Sequence, residues 1–228
     1  MAGDPPYYTE NRRKNMKKTT CLAALALAVL LALSLAACGS KDDTQPKKTF
    51  SAGKVDGSTY TNEYFGFAVT LDESFGWTFF DSDQIAQVTG QVADLIDNED
   101  ITKLLESGKS ITEMYAMRDD YATVNVTVEN LGAVNGAKLS ESDYVDASIA
   151  ALPDQLAAAG FTDMVVNKTT LPFAGAEHYG ITISAEMQGV PLEETLVCVK
   201  VGDYVAVVTA VSYTQDSSAD ILAAFRGL

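Results

Sequence analysis

The 228-residue chain has one histidine, one tryptophan and three cysteines, and these shortages exclude a good deal of chemistry. A lone histidine rules out zinc sites built on two or more histidines. A Ser-His-Asp triad would have to use His178, yet no Gly-x-Ser-x-Gly elbow or similar nucleophile turn is present. His178, next to Tyr179, reads instead as a strand histidine hydrogen-bonded to a neighbour. Phosphate-cradling loops are missing as well: Gly132 and Gly136 lack the strand-to-helix Gly-x-Gly-x-x-Gly context. Basic residues are scarce, with 16 Lys and Arg against 31 Asp and Glu, a net charge of −15. That balance argues against nucleic acid as a partner. The densest acidic group, Asp94, Asp97, Glu99 and Asp100, lacks the spacing of a calcium loop and reads as a solvated helix end. Carboxylate pairs for glycoside hydrolysis meet only in a fold, so spacing neither supports nor excludes them. Glu193-Glu194 reads as an outward-facing pair protecting a sheet edge. No metal and no cofactor is expected.

What is present lies first at the N-terminal side. Lys17 and Lys18 precede an apolar stretch from Cys21 to Ala37, broken only by Ser34, and Cys38-Gly39-Ser40 follows. A basic head, an apolar run and small residues before a cysteine are the parts of an export signal. The run of 17 residues is short for a bilayer span. Leu35-Ala36-Ala37-Cys38 resembles the lipobox of bacterial lipoproteins. The resemblance implies cleavage between Ala37 and Cys38, a diacylglycerol (palmitate-type) anchor on the Cys38 sulfur, and residence on the outer face of the bacterial cell membrane. Arg12-Arg13 resembles a twin-arginine signal without its Phe-Leu, and Met16 makes a more ordinary start than Met1.

Five of the basic and two of the acidic residues lie in 1–37, which leaves 11 basic and 29 acidic residues from 38 onward, a charge of −18. So acidic a chain does not lie flat on anionic lipid, and anchoring falls to the acyl chains. Cys21 leaves with the leader and Cys38 carries lipid. Cys198 then remains alone, in an alternating strand, as a buried inert thiol. Residues 38–57, rich in Lys, Asp, Ser and Gly, read as a disordered tether.

Residues 58–228 read as one α+β domain. Ser58–Tyr60 and Gly66–Leu71 form a hairpin, and Trp77–Phe80 an aromatic strand. A helix capped by Asp81 or Ser82 carries Ile85, Val88, Val92, Leu95 and Ile96 on one face, and a second runs from about Glu99 to Ser107. Ala122–Glu129 alternates, with Ala122, Val124, Val126 and Val128 inward and Thr123, Asn125, Thr127 and Glu129 outward. Ser140 to Asp143 forms a capping box, opening a helix that Pro153 should kink or break. A meander follows over Met164–Leu171, His178–Met187, Leu192–Val201 and Tyr204–Ser212. A closing helix from Ser218 presents Ile221, Leu222 and Phe225. Strands joined by tight turns pair antiparallel.

Tyr60-Thr-Asn-Glu-Tyr-Phe65-Gly66-Phe67, with Trp77 soon after and Ile221 to Phe225 at the end, resembles the Mog1/PsbP-like domains. The resemblance covers about 58–228 and implies a central antiparallel sheet flanked by helices on both sides, an α/β/α sandwich. It implies a non-catalytic module that binds a protein partner, the identity of which it does not specify. A small-ligand-binding lipoprotein and an unrecognised hydrolase are the other readings. Tyr64 and Phe75, at turns, are the candidates for an exposed recognition patch, although core packing explains most of the aromatics.

Overall fold

The computed structural model describes residues 48–91, 105, 110–213 and 218–228. The expected signal with Ala37 and Cys38, the first part of the tether, and the acidic group from Asp94 to Asp100 lie outside the described residues. Eleven strands are described: β1 (Lys54–Asp56), β2 (Thr59–Asn62), β3 (Phe67–Thr70), β4 (Trp77–Phe79), β5 (Ile111–Arg118), β6 (Thr123–Asn130), β7 (Phe161–Phe173), β8 (Ala176–Met187), β9 (Val190–Val201), β10 (Tyr204–Ser212) and β11 (Phe225–Gly227). Four helices accompany them: α1 (Ser82–Thr89), α2 (Gly132–Lys138), α3 (Glu141–Ala158) and α4 (Ser218–Leu222).

The strands make two antiparallel sheets. A large one runs β4-β5-β6-β10-β9-β8-β7, and a small one runs β1-β2-β3-β11. The meander is as its turns predict, because Gly175, Gly189 and Gly202 take positive φ at the reversals. One face of the large sheet meets the small one, where Tyr60, Phe67 and Val69 pack against Met114, Val124, Val126 and Val208. The other face carries α3, whose Tyr144, Val145, Leu152 and Leu156 cover Ile181, Ile183, Leu196 and Val207. Ile85 of α1 packs on Tyr115 nearer the β5 side of the same face. The fold is therefore α+β and rich in strands. On one face a second sheet takes much of the place expected of helices.

Several expectations are corrected. The tether does not extend to 57. Phe50 is buried, stacking on Tyr204 at 4.6 Å, and β1 pairs with β2. The Gly53 amide donates to Glu113 at 2.9 Å. One aromatic in a polar stretch is enough to bring its neighbours onto the domain. Helix α1 ends at Thr89, because Gly90 turns left-handed (φ 71°); Val92, Leu95 and Ile96 of the predicted face, and nearly all of the helix expected over Glu99 to Ser107, lie outside the described residues. Helix α3 runs unbroken through Pro153, held by Leu152 and Leu156 against the sheet. The closing helix stops at Leu222, and Phe225 lies in a strand that pairs with β3.

The most consequential correction concerns β6. Both of its faces are covered, so Thr123, Asn125, Thr127 and Glu129 are buried rather than outward. Strand β9 likewise sits between β8 and β10 and is not an edge. Successive residues of a strand face opposite sides. Glu193 therefore stays near solvent with Ser184, while Glu194 is driven into the interior.

Candidate functional site

Two regions bring chemistry-bearing side chains together. The first lies under the N-terminal half of α3. The Ser140 cap starts the helix, its hydroxyl accepting from the Asp143 amide. One residue later, Glu141 reaches down to the sheet. His178 Nδ1 lies 3.1 Å from its Oε1, and the Lys200 amide donates to the same oxygen at 2.9 Å. Burial pushes the Glu141 carboxyl up, but His178 and the Lys200 amide outweigh it and hold the group below its usual range. Nearby, the Tyr144 hydroxyl donates to Glu129 at 2.9 Å. Burial raises Glu129 to about 7 in spite of that bond. Cys198 is enclosed, and burial, with the charges of Glu141 and Glu129, pushes its thiol far up and away from a reactive thiolate. This region pins α3 to the sheet. Among the described residues it gathers no group of three or more metal-ligating side chains.

The second region is exposed. Asp72 caps a 3-10 turn over Glu73–Phe75, and Gly76 closes it at φ 80°. The turn holds Phe75 in solvent, 74% exposed. The Asp119 amide donates to the Gly76 carbonyl at 3.1 Å, which ties this turn to the β5–β6 turn. There Tyr121 sits in the left-handed region (φ 69°), 40% exposed. Behind them the Arg118 guanidinium lies 5.4 Å from the Trp77 ring centroid and makes a two-pronged bond to Asp120. Arg118 holds the Asp120 carboxyl below its usual range. Asp72, Glu73 and Asp119 are exposed beside the two aromatics. The result is a pair of aromatic side chains on fixed turns with an acidic border.

The residues singled out in the sequence separate accordingly. Phe75 is on this surface. Tyr64 is not: it is buried, its hydroxyl donates to the Val201 carbonyl at 3.1 Å, and Phe50, Phe65 and Tyr204 surround its ring. Burial pushes that hydroxyl up to about 12. The turn position suggests exposure, but the chain around Phe50 folds over it. Sequence reasoning misses Tyr121 and Glu113 and misplaces Glu194. For Tyr121 the available signal is an aromatic beside Asp119-Asp120 between two strands. No helix among the described residues is long and apolar enough to cross a membrane. Compared with known proteins, the chain matches no family model and no curated protein.

Proposed function

We propose that the protein is an extracytoplasmic bacterial lipoprotein, anchored through Cys38, whose domain is a non-catalytic module that docks a protein partner. The domain is read as Mog1/PsbP-like, the small sheet and α4 lying on one face and α1 and α3 on the other. The observation that carries the docking role is the exposed pair Phe75 and Tyr121 and its place on the molecule. Phe50, near the first described residue, packs against Tyr204 at one end of the large sheet, beside the last residue of β6. Phe75 and Tyr121 lie beyond the first residue of β6, about 24 Å away along an eight-residue strand. A domain held at its Phe50 end presents the aromatic pair away from the membrane. From Cys38 to Lys48 the chain can span at most about 35 Å, which bounds the reach of the site.

Large exposed aromatics on rigid turns are the residues that anchor interfaces. The acidic border selects a partner with a basic rim around an apolar hollow. Replacing Phe75 and Tyr121 together by serine should lower recovery of such a partner at least about tenfold in cross-linking from intact membranes. Melting temperature should stay near the wild-type value. Unchanged recovery in a folded double variant would remove the docking role. For the anchor, Cys38→Ser should accumulate as an unprocessed, unacylated precursor, and lipid labelling of that variant would sink the lipoprotein reading.

A further inference from the structure

The face of the large sheet covered by α1 and α3 contains a feature that the docking role leaves unused. Four polar atoms there are buried without a hydrogen-bond partner among the described residues: the Tyr115 hydroxyl, Asn125 Nδ2, Thr209 Oγ1 and Glu194 Oε2. None of the four residues is more than 2% exposed. They are neighbours by register. Tyr115, Asn125 and Thr209 stand side by side across β5, β6 and β10, and Glu194 of β9 is one strand further and one row along, opposite Val211. Their side chains share one face, the one bearing Leu196 and Ile183. Tyr213 lies near the patch: burial first, and the Glu194 charge second, push its hydroxyl up to about 12. The Tyr115 hydroxyl faces Thr123 without making a well-formed bond to it.

Native interiors leave few polar atoms unpaired, and each has a cost, so four on one patch call for an occupant. The chemistry of the patch narrows what it accepts. Among the described residues it holds one carboxyl, hydroxyls, an amide and two phenol rings, and no cation. Lys168 on β7, on the same face, is taken up by Asp146 of α3 at 2.7 Å. An anion would therefore meet no counter-charge. A buried carboxyl without a partner is relieved most by a cation. Asn125 can offer its amide oxygen instead of its nitrogen. Its present partner, the Thr127 hydroxyl at 3.3 Å, is linked to the Thr112 hydroxyl at 3.0 Å in a bond that can run in either direction.

We propose that this patch is a binding site for a small organic ammonium ion, with Glu194 as its counter-charge and Thr209, Asn125 and Tyr115 as its hydrogen-bond partners. Burial alone lifts the Glu194 carboxyl to about 8, as fits an acid that lacks its partner. The site is separate from the exposed Phe75 and Tyr121, and loss of partner docking would leave it intact.

The test is thermal melting of the full chain near pH 7.5 with ethylammonium chloride, against sodium chloride of equal ionic strength. Ethylammonium should raise the wild-type melting temperature saturably, by about 5 °C near saturation. The shift should vanish in Glu194→Gln and need at least about threefold more ligand in Thr209→Val. A saturable shift that survives in Glu194→Gln would overturn the proposal. An equal shift from neutral acetamide would do the same, marking a pocket for uncharged solutes. So would the absence of any saturable shift in the wild type, which would mean that water alone satisfies these atoms.

Discussion

Replacing Phe67 by alanine should destabilise the domain by about 3–5 kcal/mol, the usual cost of truncating a fully buried phenylalanine. Phe67 is 1% exposed and sits where four parts of the fold meet. Its ring centroid lies 5.4 Å from Phe173 at the end of β7 and 5.8 Å from Phe225 of β11. Tyr60 of β2 and Phe65 are each 6.3 Å away. Removing it opens a cavity between the two sheets that rigid strands on both sides cannot collapse to fill. The loss should appear as a lower urea midpoint with an unchanged slope. Phe75→Ala supplies the contrast. Its ring faces solvent, and its stability should stay within about 0.5 kcal/mol of wild type. A Phe67→Ala protein that melts like the wild type would show that the small sheet shares no core with the large one.

The second large effect is a loss of stability as pH rises from 5 to 8. Burial raises Glu194 from 4.5 to about 8 and Glu129 from 4.5 to about 7. Glu113 moves up as well: burial outweighs the bonds it accepts from the Gly53 amide, Tyr60 and Asn62. In this window the folded state keeps protons that the unfolded chain has released. Stability therefore falls with increasing pH, from 4.5 up to the folded values, and levels off above about 8. Holding one proton through one pH unit after the unfolded chain has lost it corresponds to about 1.4 kcal/mol. Over about 3.5 pH units for Glu194 and about 2.5 for Glu129, this corresponds to a cost on the order of 8 kcal/mol by about pH 8. The lowered carboxyls Asp72, Asp120, Glu141 and Asp143 act in the opposite sense. Their contribution is lost only as pH falls through values below the ordinary 3.8 to 4.5, outside the window. Glu194→Gln should be about 2–3 kcal/mol more stable than wild type at pH 8 and should flatten the slope. Denaturant melts at pH 5, 6.5 and 8 measure both. A wild-type protein that gains stability toward pH 8 would contradict this account.

The parts of the fold that can be read from the chain are those with strong local chemistry. The meander from β7 to β10 announces itself through Gly175, Gly189 and Gly202 at its turns, and α3 through the Ser140 cap. The parts that escape depend on what lies across from them. Alternation in β6 separates two faces, but it cannot say whether the polar face meets water or a helix. Only the neighbouring β10, apolar on both sides, hints that β6 is central. Strand β5 hides because a bulge at Glu113 breaks the period between Thr112 and Met114. Of the candidate site, Phe75 is visible as an aromatic at a turn. The patch around Glu194 is not, since its members come from two strand pairs, β5 with β6 and β9 with β10, that lie far apart in sequence.

The fastening of the first described residues has a mechanical consequence. Lys48 Nζ donates to the Glu63 and Tyr64 carbonyls, Phe50 stacks on Tyr204, and the Gly53 amide is bonded to Glu113, where Tyr60 leaves no room for a side chain on residue 53. Next comes β1, three residues on the rim of the small sheet, paired on one side only. A pull from the N-terminal side meets these contacts in turn and peels β1 from β2 one bond at a time, as a zip opens. Nine residues, 48–56, would pay out about 30 Å of extra length while β2 and β3 stay paired with each other. The rim would thus give way first, with the large sheet and Phe75 at its far end left in place.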